Sequence, residues 1–380
     1  MGAELGRPER VEALGPTTGG FQVPGTGGAG PPPRRVLLYI VGHHRSGATA
    51  LGAVLASDPT LFFAGELYRF PVPIWSSGDA VRGCSCGAPV LQCPFWVEVR
   101  REAERRGLLA ALPKGQKRFE RWAALPRTLI AIAFRRPAVR AHAQAMAEFA
   151  GIVAGVAGVR VLVEYGPSAA RARMTRELAD YGFDVRYLHV VRDGRGFLAS
   201  ELGTTADPEA PGDWVRNPLI VIARWLGMNL AALVLCSRDR SRYLRIRYEE
   251  LLDDPRKIVT RIGAFLGKDL SDVIERVEAG TPIPMRHIAA GNRARLKRVI
   301  VLARSPPRSE RLPWATRALF WAVAGWFAGP LGYRPGPRFR EDGASGPSSL
   351  GGRRSLRILG RPRAFTSCHR NADPPAGDPR

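Results

Sequence analysis

The sequence predicts an α/β protein, with a parallel sheet covered by helices on both faces in a single domain and disordered ends. Three observations carry this. First, Val36-Leu37-Leu38-Tyr39-Ile40-Val41 is a continuous apolar run rich in β-branched residues, as a strand buried on both faces should be. Second, a glycine-bounded turn follows it and leads into Leu51, Val54 and Leu55 at helical spacing before Asp58-Pro59. Third, strand-like and helix-like stretches alternate from residue 159 onward, the pattern of a doubly wound sheet.

The turn is Gly42-His43-His44-Arg45-Ser46-Gly47-Ala48-Thr49. Strand, glycine-rich turn and helix together point backbone N–H groups and a helix N-terminus at an anion. The spacing G-x-x-x-x-G-x-S/T fits a phosphate loop, so the sheet is P-loop-like. Ala48 stands where nucleotide triphosphatases carry lysine, and a cation appears earlier in the loop, at Arg45. The loop therefore suits a phosphate-like group better than ATP or GTP hydrolysis. An ordinary tight turn is the alternative reading of the same residues.

The rest follows in chain order. Residues 1–33 are rich in Gly, Pro and Ala and read as a disordered leader without a secretory signal. Leu61-Phe62-Phe63-Ala64-Gly65 is a short second strand, and Glu66 lies just beyond its end, where ligands of parallel sheets gather. A lone Glu is more often a surface residue, but one beside a phosphate loop is placed to act as a base.

Residues 70 to 98 read as irregular and hold Cys84, Cys86 and Cys93. Three cysteines offer three zinc ligands, and a structural zinc takes four. Cys236 or a histidine would complete the set only through tertiary proximity. Packed thiols or a redox-labile pair need no such partner, and no metal is expected.

Residues 97 to 157 predict two or three helices, broken near Pro113, Pro126 and Pro137. A third strand covers Val159 to Glu164, then comes Tyr165-Gly166-Pro167-Ser168 and a helix from about Ala169 to Tyr181. Val185 to Val191 is the next strand. It ends at Arg192, with a helix following from Phe197, and Arg192 and Ser200 are placed to meet one phosphate. A long helix over 214 to 236, a strand at Tyr243 to Tyr248 and a helix at Ile258 to Leu266 follow. Gly291-Asn292-Arg293-Ala294-Arg295 reads as a basic loop before an apolar terminal helix.

That terminal helix, around Ala318 to Phe327, is too short to cross a membrane, and no other stretch is read as reaching that length. It is expected to pack, with peripheral membrane contact as its alternative use. Residues 336–380 read as a disordered basic tail, leaving 34–335 as the domain.

The formal net charge is +23 over 380 residues, and Arg far outnumbers Lys. No basic block is interleaved with aromatics as a nucleic-acid platform would be, so anionic small ligands explain the charge better than nucleic acid. Five cysteines in a chain this long make no disulfide framework and point to a reducing, cytoplasmic setting.

Taken together, these pieces resemble the sulfotransferases that use 3′-phosphoadenosine 5′-phosphosulfate (PAPS), and among them the bacterial type with a cysteine-bearing insertion. The carrying residues are Tyr39 to Thr49, Gly65-Glu66-Leu67, the Cys84 to Trp96 insertion and Leu188 to Arg195. Further on they are Arg247-Tyr248-Glu249-Glu250-Leu251, Ala264-Phe265-Leu266-Gly267, Gly291-Asn292 and Leu331-Gly332-Tyr333. Each is weak alone; their order and spacing are specific.

The resemblance implies that Arg45, Ser46, Gly47, Ala48 and Thr49 hold the 5′-phosphosulfate end. It implies that Arg192 and Ser200 hold the 3′-phosphate, with Gly291, Arg293 and Arg295 closing over it. The implied reaction is in-line sulfuryl transfer to an acceptor hydroxyl or amine on a small molecule, carbohydrate or lipid. Glu66 is the implied base, with His43, His44 and His189 as rivals, and Arg45 would steady the leaving phosphate. The chain departs from relatives after the third strand. Where they often read Asp-Ser-Ser-Lys, it has Glu164-Tyr165-Gly166-Pro167. A non-catalytic relative that binds a nucleotide or another anion is therefore the rival reading.

Overall fold

The computed structural model describes residues 34–70, 83–202, 217–291, 293–302 and 312–335. The leader, the basic tail, Asn292 and the Arg293 side chain lie outside the described residues. All the elements below belong to the compact unit Met1–Arg334.

Five parallel strands form the sheet, in the order β2-β3-β1-β4-β5. They are β1 (Arg35–Val41), β2 (Leu61–Gly65), β3 (Val161–Gly166), β4 (Phe183–Val191) and β5 (Tyr243–Arg247). The apolar run read from the sequence is central β1, paired with β3 on one side and β4 on the other. Its side chains alternate between two cores, as the pleat requires. Leu37, Tyr39 and Val41 enter one; Leu38 and Ile40 enter the other.

Helices cover both faces. The Leu38 face packs under α1 (Ala48–Leu55), α10 (Pro255–Leu266) and α11 (Ser271–Glu278). The Leu37 face packs under α2 (Pro94–Arg105), α3 (Leu108–Gly115), α5 (Pro137–Val156) and α6 (Ala169–Thr175), with α4 (Leu125–Ala133) adding Ala131 at its margin. At the β5 side, α7 (Gly194–Leu202), α8 (Pro218–Cys236) and α12 (Trp314–Ala328) build a third cluster around Trp225, Phe320 and Phe327. A short α9 (Tyr248–Asp253) and a two-stranded ribbon, β6 (Ile283–Pro284) with β7 (Val299–Ile300), complete the described α-helices and strands, and short turns of other helix, among them Gln116–Glu120, lie between them.

Several sequence expectations need correcting. The stretch from 97 to 157 holds four helices including α2, whose start at Pro94 lies in a region read as irregular. Helix boundaries do fall near Pro126 and Pro137, which sit in the first turns of α4 and α5 where a missing N–H costs nothing, but Pro113 breaks nothing: it lies inside α3, and the first break is at Gly107. Strand β3 runs two residues past Glu164. Helix α11 was not expected at all. The view that nothing reaches membrane-spanning length also fails: α8 has 19 residues, and its best window has a mean hydropathy of 2.0. That apolarity has packing partners in the fold, since Val221, Ile222, Trp225 and Met228 are buried.

Strand order fixes where a ligand fits. The chain leaves β1 toward β2 on one side and leaves β4 toward β5 on the other. Neighbouring strands whose connections depart in opposite directions open a crevice at their carboxyl ends. Here it lies between the loop after β1 and Arg192 after β4.

Candidate functional site: an anion cradle between β1 and β4

The loop from Gly42 to Gly47 is a backbone cradle. Arg45 has φ 62° and Gly47 has φ 93°, both left-handed, and Gly47 caps the N-terminus of α1. Left-handed residues set within a turn gather backbone N–H groups toward one point, the geometry of an anion nest. Gly47 is required on two counts. Its φ disfavours a side chain, and a Cβ there would lie 2.1 Å from the Tyr248 ring. That ring also lies 5.4 Å from the Arg192 guanidinium, so Tyr248 packs against both loop and arginine. Among the described residues the buried Ser46 hydroxyl has no hydrogen-bond partner, which leaves it open to a ligand.

Two arginines and a serine from three elements meet here. Arg192 donates from Nη1 to the Arg45 carbonyl oxygen at 2.7 Å across 147 residues of chain. Arg45 donates from Nη1 to Ser200 Oγ at 3.2 Å, and its Nε pairs with Glu201 at 2.8 Å. Arg45 keeps 32% of its side chain exposed, so it can trade the Glu201 pair for an incoming anion.

The later motifs brace this cradle. Glu249 accepts from the Asp193 N–H and from the Tyr333 hydroxyl, both at 2.9 Å. Arg247 donates to the Gly332 carbonyl oxygen at 2.7 Å and pairs with Glu250. The Tyr248 and Glu249 contacts are site features that sequence reasoning did not assign.

Glu66 is 3% exposed beyond β2. Its Oε2 accepts from the Tyr68 hydroxyl at 2.8 Å and from Arg69 at 3.5 Å. Burial, with Glu66 nearby, pushes the Tyr68 phenol upward, so it stays a donor. The Glu66 N–H reaches the Ala290 carbonyl oxygen at 3.4 Å. A Cβ on Gly291 would lie 3.7 Å from Glu66 Oε1 and 3.9 Å from Thr49 Oγ1. Carboxylate, loop helix and the strap at Gly291 thus converge. Arg295 is buried and donates to the Gly291 carbonyl oxygen at 2.8 Å, holding the strap's shape.

The histidines fall in different places. His43 is 4% exposed, packs 4.2 Å from the Phe197 ring, and faces the His44 carbonyl oxygen through Nδ1 at 2.5 Å. Burial lowers its pKa to about 3, so it stays neutral beneath the loop. His189 is fully buried between the Tyr243 hydroxyl at 2.7 Å and Asn229 Oδ1 at 2.9 Å, and burial lowers it to about 4. Both geometries suit structural props better than proton carriers. His44 is exposed on the loop.

The end of β3 is occupied by a buried ion cluster. Arg171 Nε donates to Glu164 at 2.6 Å, Arg171 also pairs with Glu120, and His142 Nε2 meets Glu120 at 2.7 Å. All four residues are at most 5% exposed. Burial raises Glu164 to about 7. Burial also pushes Glu120 upward, but Arg171 and His142 outweigh it and hold Glu120 low.

No family model matches the chain, and no curated protein does. Solved structures do. A sulfotransferase domain from a Synechococcus olefin synthase matches at 22% identity and TM-score 0.45, over 78% of this chain and 95% of that one. A mouse sulfotransferase complexed with PAP matches at 10% identity and TM-score 0.42, over 76% and 82%. A sulfotransferase from Mycobacterium avium matches at 15% identity and TM-score 0.38, over 78% and 77%. Likenesses of this strength carry nothing about donor or acceptor.

Proposed function

We propose that the chain is a sulfotransferase that moves a sulfuryl group from PAPS to an acceptor hydroxyl or amine, in line and without a metal in the transfer step. The observation that supports this most is the meeting of Arg45, Arg192 and Ser200 at the mouth of the β1 loop. One donor molecule with phosphate at both ends would use all three. The loop amides, Ser46 and Thr49 would take the 5′-phosphosulfate. Arg192 and Ser200 would take the 3′-phosphate, the group that separates PAPS from ATP. Arg45 would stand between them and steady the charge that builds on the leaving 5′-phosphate.

In the transfer, a bond forms from the acceptor oxygen or nitrogen to sulfur while the bond from sulfur to the 5′-phosphate oxygen breaks. The acceptor's proton goes to Glu66, held in place through Oε2 by Tyr68 and Arg69. Gly291 and Arg295 shape the strap beside Glu66, and with Arg293 they would close over the 3′-phosphate. His43 is better assigned to propping the loop than to base chemistry. The acceptor is a small molecule, carbohydrate or lipid bearing a hydroxyl or amine. Cys84, Cys86, Cys93 and Cys236 form no disulfide, which suits a cytoplasmic setting.

The test is transfer from labelled PAPS to a panel of hydroxyl and amine acceptors. Glu66→Gln should cut turnover by about 10²–10⁴-fold, the usual weight of general base catalysis, with donor binding unchanged. Unchanged turnover would move the base role to His44. One observation favours the non-catalytic alternative. The cation that follows β3 is Arg171, already committed to Glu164 and Glu120. Donor binding with no transfer to any acceptor would select that reading.

A further inference from the structure

The fourth partner that the three cysteines lack in the sequence is His287. Cys84, Cys86, Cys93 and His287 bring their ligand atoms within 4.8 Å of one another, across 194 residues between Cys93 and His287. From these positions we infer a structural zinc site with a Cys3His ligand set, separate from the anion cradle.

Three of the ligand spacings lie near the edges of a zinc tetrahedron. Zinc bonds of about 2.3 Å to sulfur and about 2.0–2.1 Å to nitrogen give tetrahedral edges of about 3.8 Å between sulfurs and about 3.6 Å from sulfur to nitrogen. Cys86 and Cys93 Sγ lie 3.7 Å apart, and His287 Nδ1 lies 3.2 Å from Cys93 and 4.0 Å from Cys84. A disulfide needs sulfurs about 2.05 Å apart, and none of these cysteines forms one.

The surroundings hold each ligand in place. Cys84 accepts at its carbonyl from the Gly87 N–H and donates its own N–H to Ala88, both at 2.8 Å, which closes a tight knuckle. Gly87 sits at φ 97° in that turn, a conformation glycine takes without strain. Cys93 caps the N-terminus of α2, where the helix dipole favours a thiolate. The His287 ring lies parallel to Phe95 at 5.2 Å, and the His287 carbonyl accepts from buried Trp96 Nε1 at 2.9 Å. Ser85 clamps both flanks of His287, bonding the Arg286 carbonyl and, at 2.7 Å, the Ile288 N–H. Three thiolates and one imidazole in a closed tetrahedron select zinc over hard cations, with no open position for chemistry.

The site acts as a staple. It ties the insertion over 83–93 to the strap over 285–291, and that strap reaches the Glu66 N–H through Ala290. Zinc therefore fixes the backbone beside the carboxylate without touching it.

The experiment is metal analysis of the full chain purified under reducing conditions, with cobalt substitution as a second readout. One zinc per chain is expected, with cobalt giving the thiolate charge-transfer and d–d bands of a tetrahedral site. Cys86→Ser, at the exposed ligand, should release the metal readily to a chelator while the chain stays folded. Cys93→Ser should abolish stoichiometric zinc. If Cys93→Ser does not fold, titrating the wild-type thiols with a mercurial answers the same question, with one zinc released as three cysteines react. Folded protein without zinc, zinc retained unchanged by both variants, or iron in its place would each overturn the assignment. Because the readout is metal content, failure here leaves the donor site untouched, and failure of donor binding leaves this site standing.

Discussion

Strands β3 and β4 flank β1 on either side, and each is followed by an arginine with acidic groups nearby, yet the two arginines have opposite fates. Arg171, after β3, is 4% exposed and bound by Glu164 and Glu120, so its charge is answered from within the chain. Arg192, after β4, is half-buried, donates one N–H to the Arg45 carbonyl and rests against the Tyr248 ring. A guanidinium has five donors, and among the described residues its partners are a neutral carbonyl and a ring face, with no carboxylate paired to it. The contrast teaches that a cation at a strand end marks a ligand site only when the fold withholds its counter-ion.

The largest effect should come from the β3 side and be purely structural. Arg171→Met leaves two buried carboxyl groups without their cation, which should cost about 3–5 kcal/mol of stability in urea denaturation. Nucleotide binding by the folded fraction should be unchanged. A loss within about 1 kcal/mol, the range of an exposed pair, would break the comparison.

Arg192→Ala should do the reverse. Stability should hold, while affinity for adenosine 3′,5′-bisphosphate falls by about 1.5–3 kcal/mol, the weight of charge-assisted hydrogen bonds. The analogue lacking the 3′-phosphate should lose far less. Equal losses for both nucleotides would remove Arg192 from the 3′-phosphate.

A third effect is in the pH dependence of stability. Glu164 rises from its ordinary 4.5 to about 7 in the folded chain, where burial disfavours its charge. Between those values the folded chain holds more protons than the unfolded one, so stability falls as pH rises through the window. Above it the whole loss remains. Glu164→Gln should flatten that slope; parallel profiles for variant and wild type would contradict the raised value. Glu120, held low, contributes the opposite slope at more acidic pH.

How far the sequence could be read follows the same contrast. Central β1, its loop and Arg192 were legible because each announces itself locally, through a β-branched run, glycines at fixed spacing and a polar residue at a strand end. Glu164 was read as a strand terminus and proved to be a buried strand residue. Its partners, Arg171, Glu120 and His142, come from three separate elements, and no local pattern predicts that meeting. His287 was missed for the same reason, being 194 residues from Cys93. Pro126 and Pro137 do mark helix boundaries, whereas Pro113 was read as a break and lies inside α3, because a sequence does not show which proline a helix carries within it. Tyr248 gave no local sign of the close approach that demands glycine at position 47.

The account rests most directly on a donor site between β1 and β4 that recognises phosphate at both ends of one nucleotide. Calorimetric titration of the folded chain with adenosine 3′,5′-bisphosphate, alongside ATP and AMP, tests that claim. The prediction is one tight site for the bisphosphate and weak or no binding of the other two. Folded protein that ignores the bisphosphate, or binds all three alike, would contradict it.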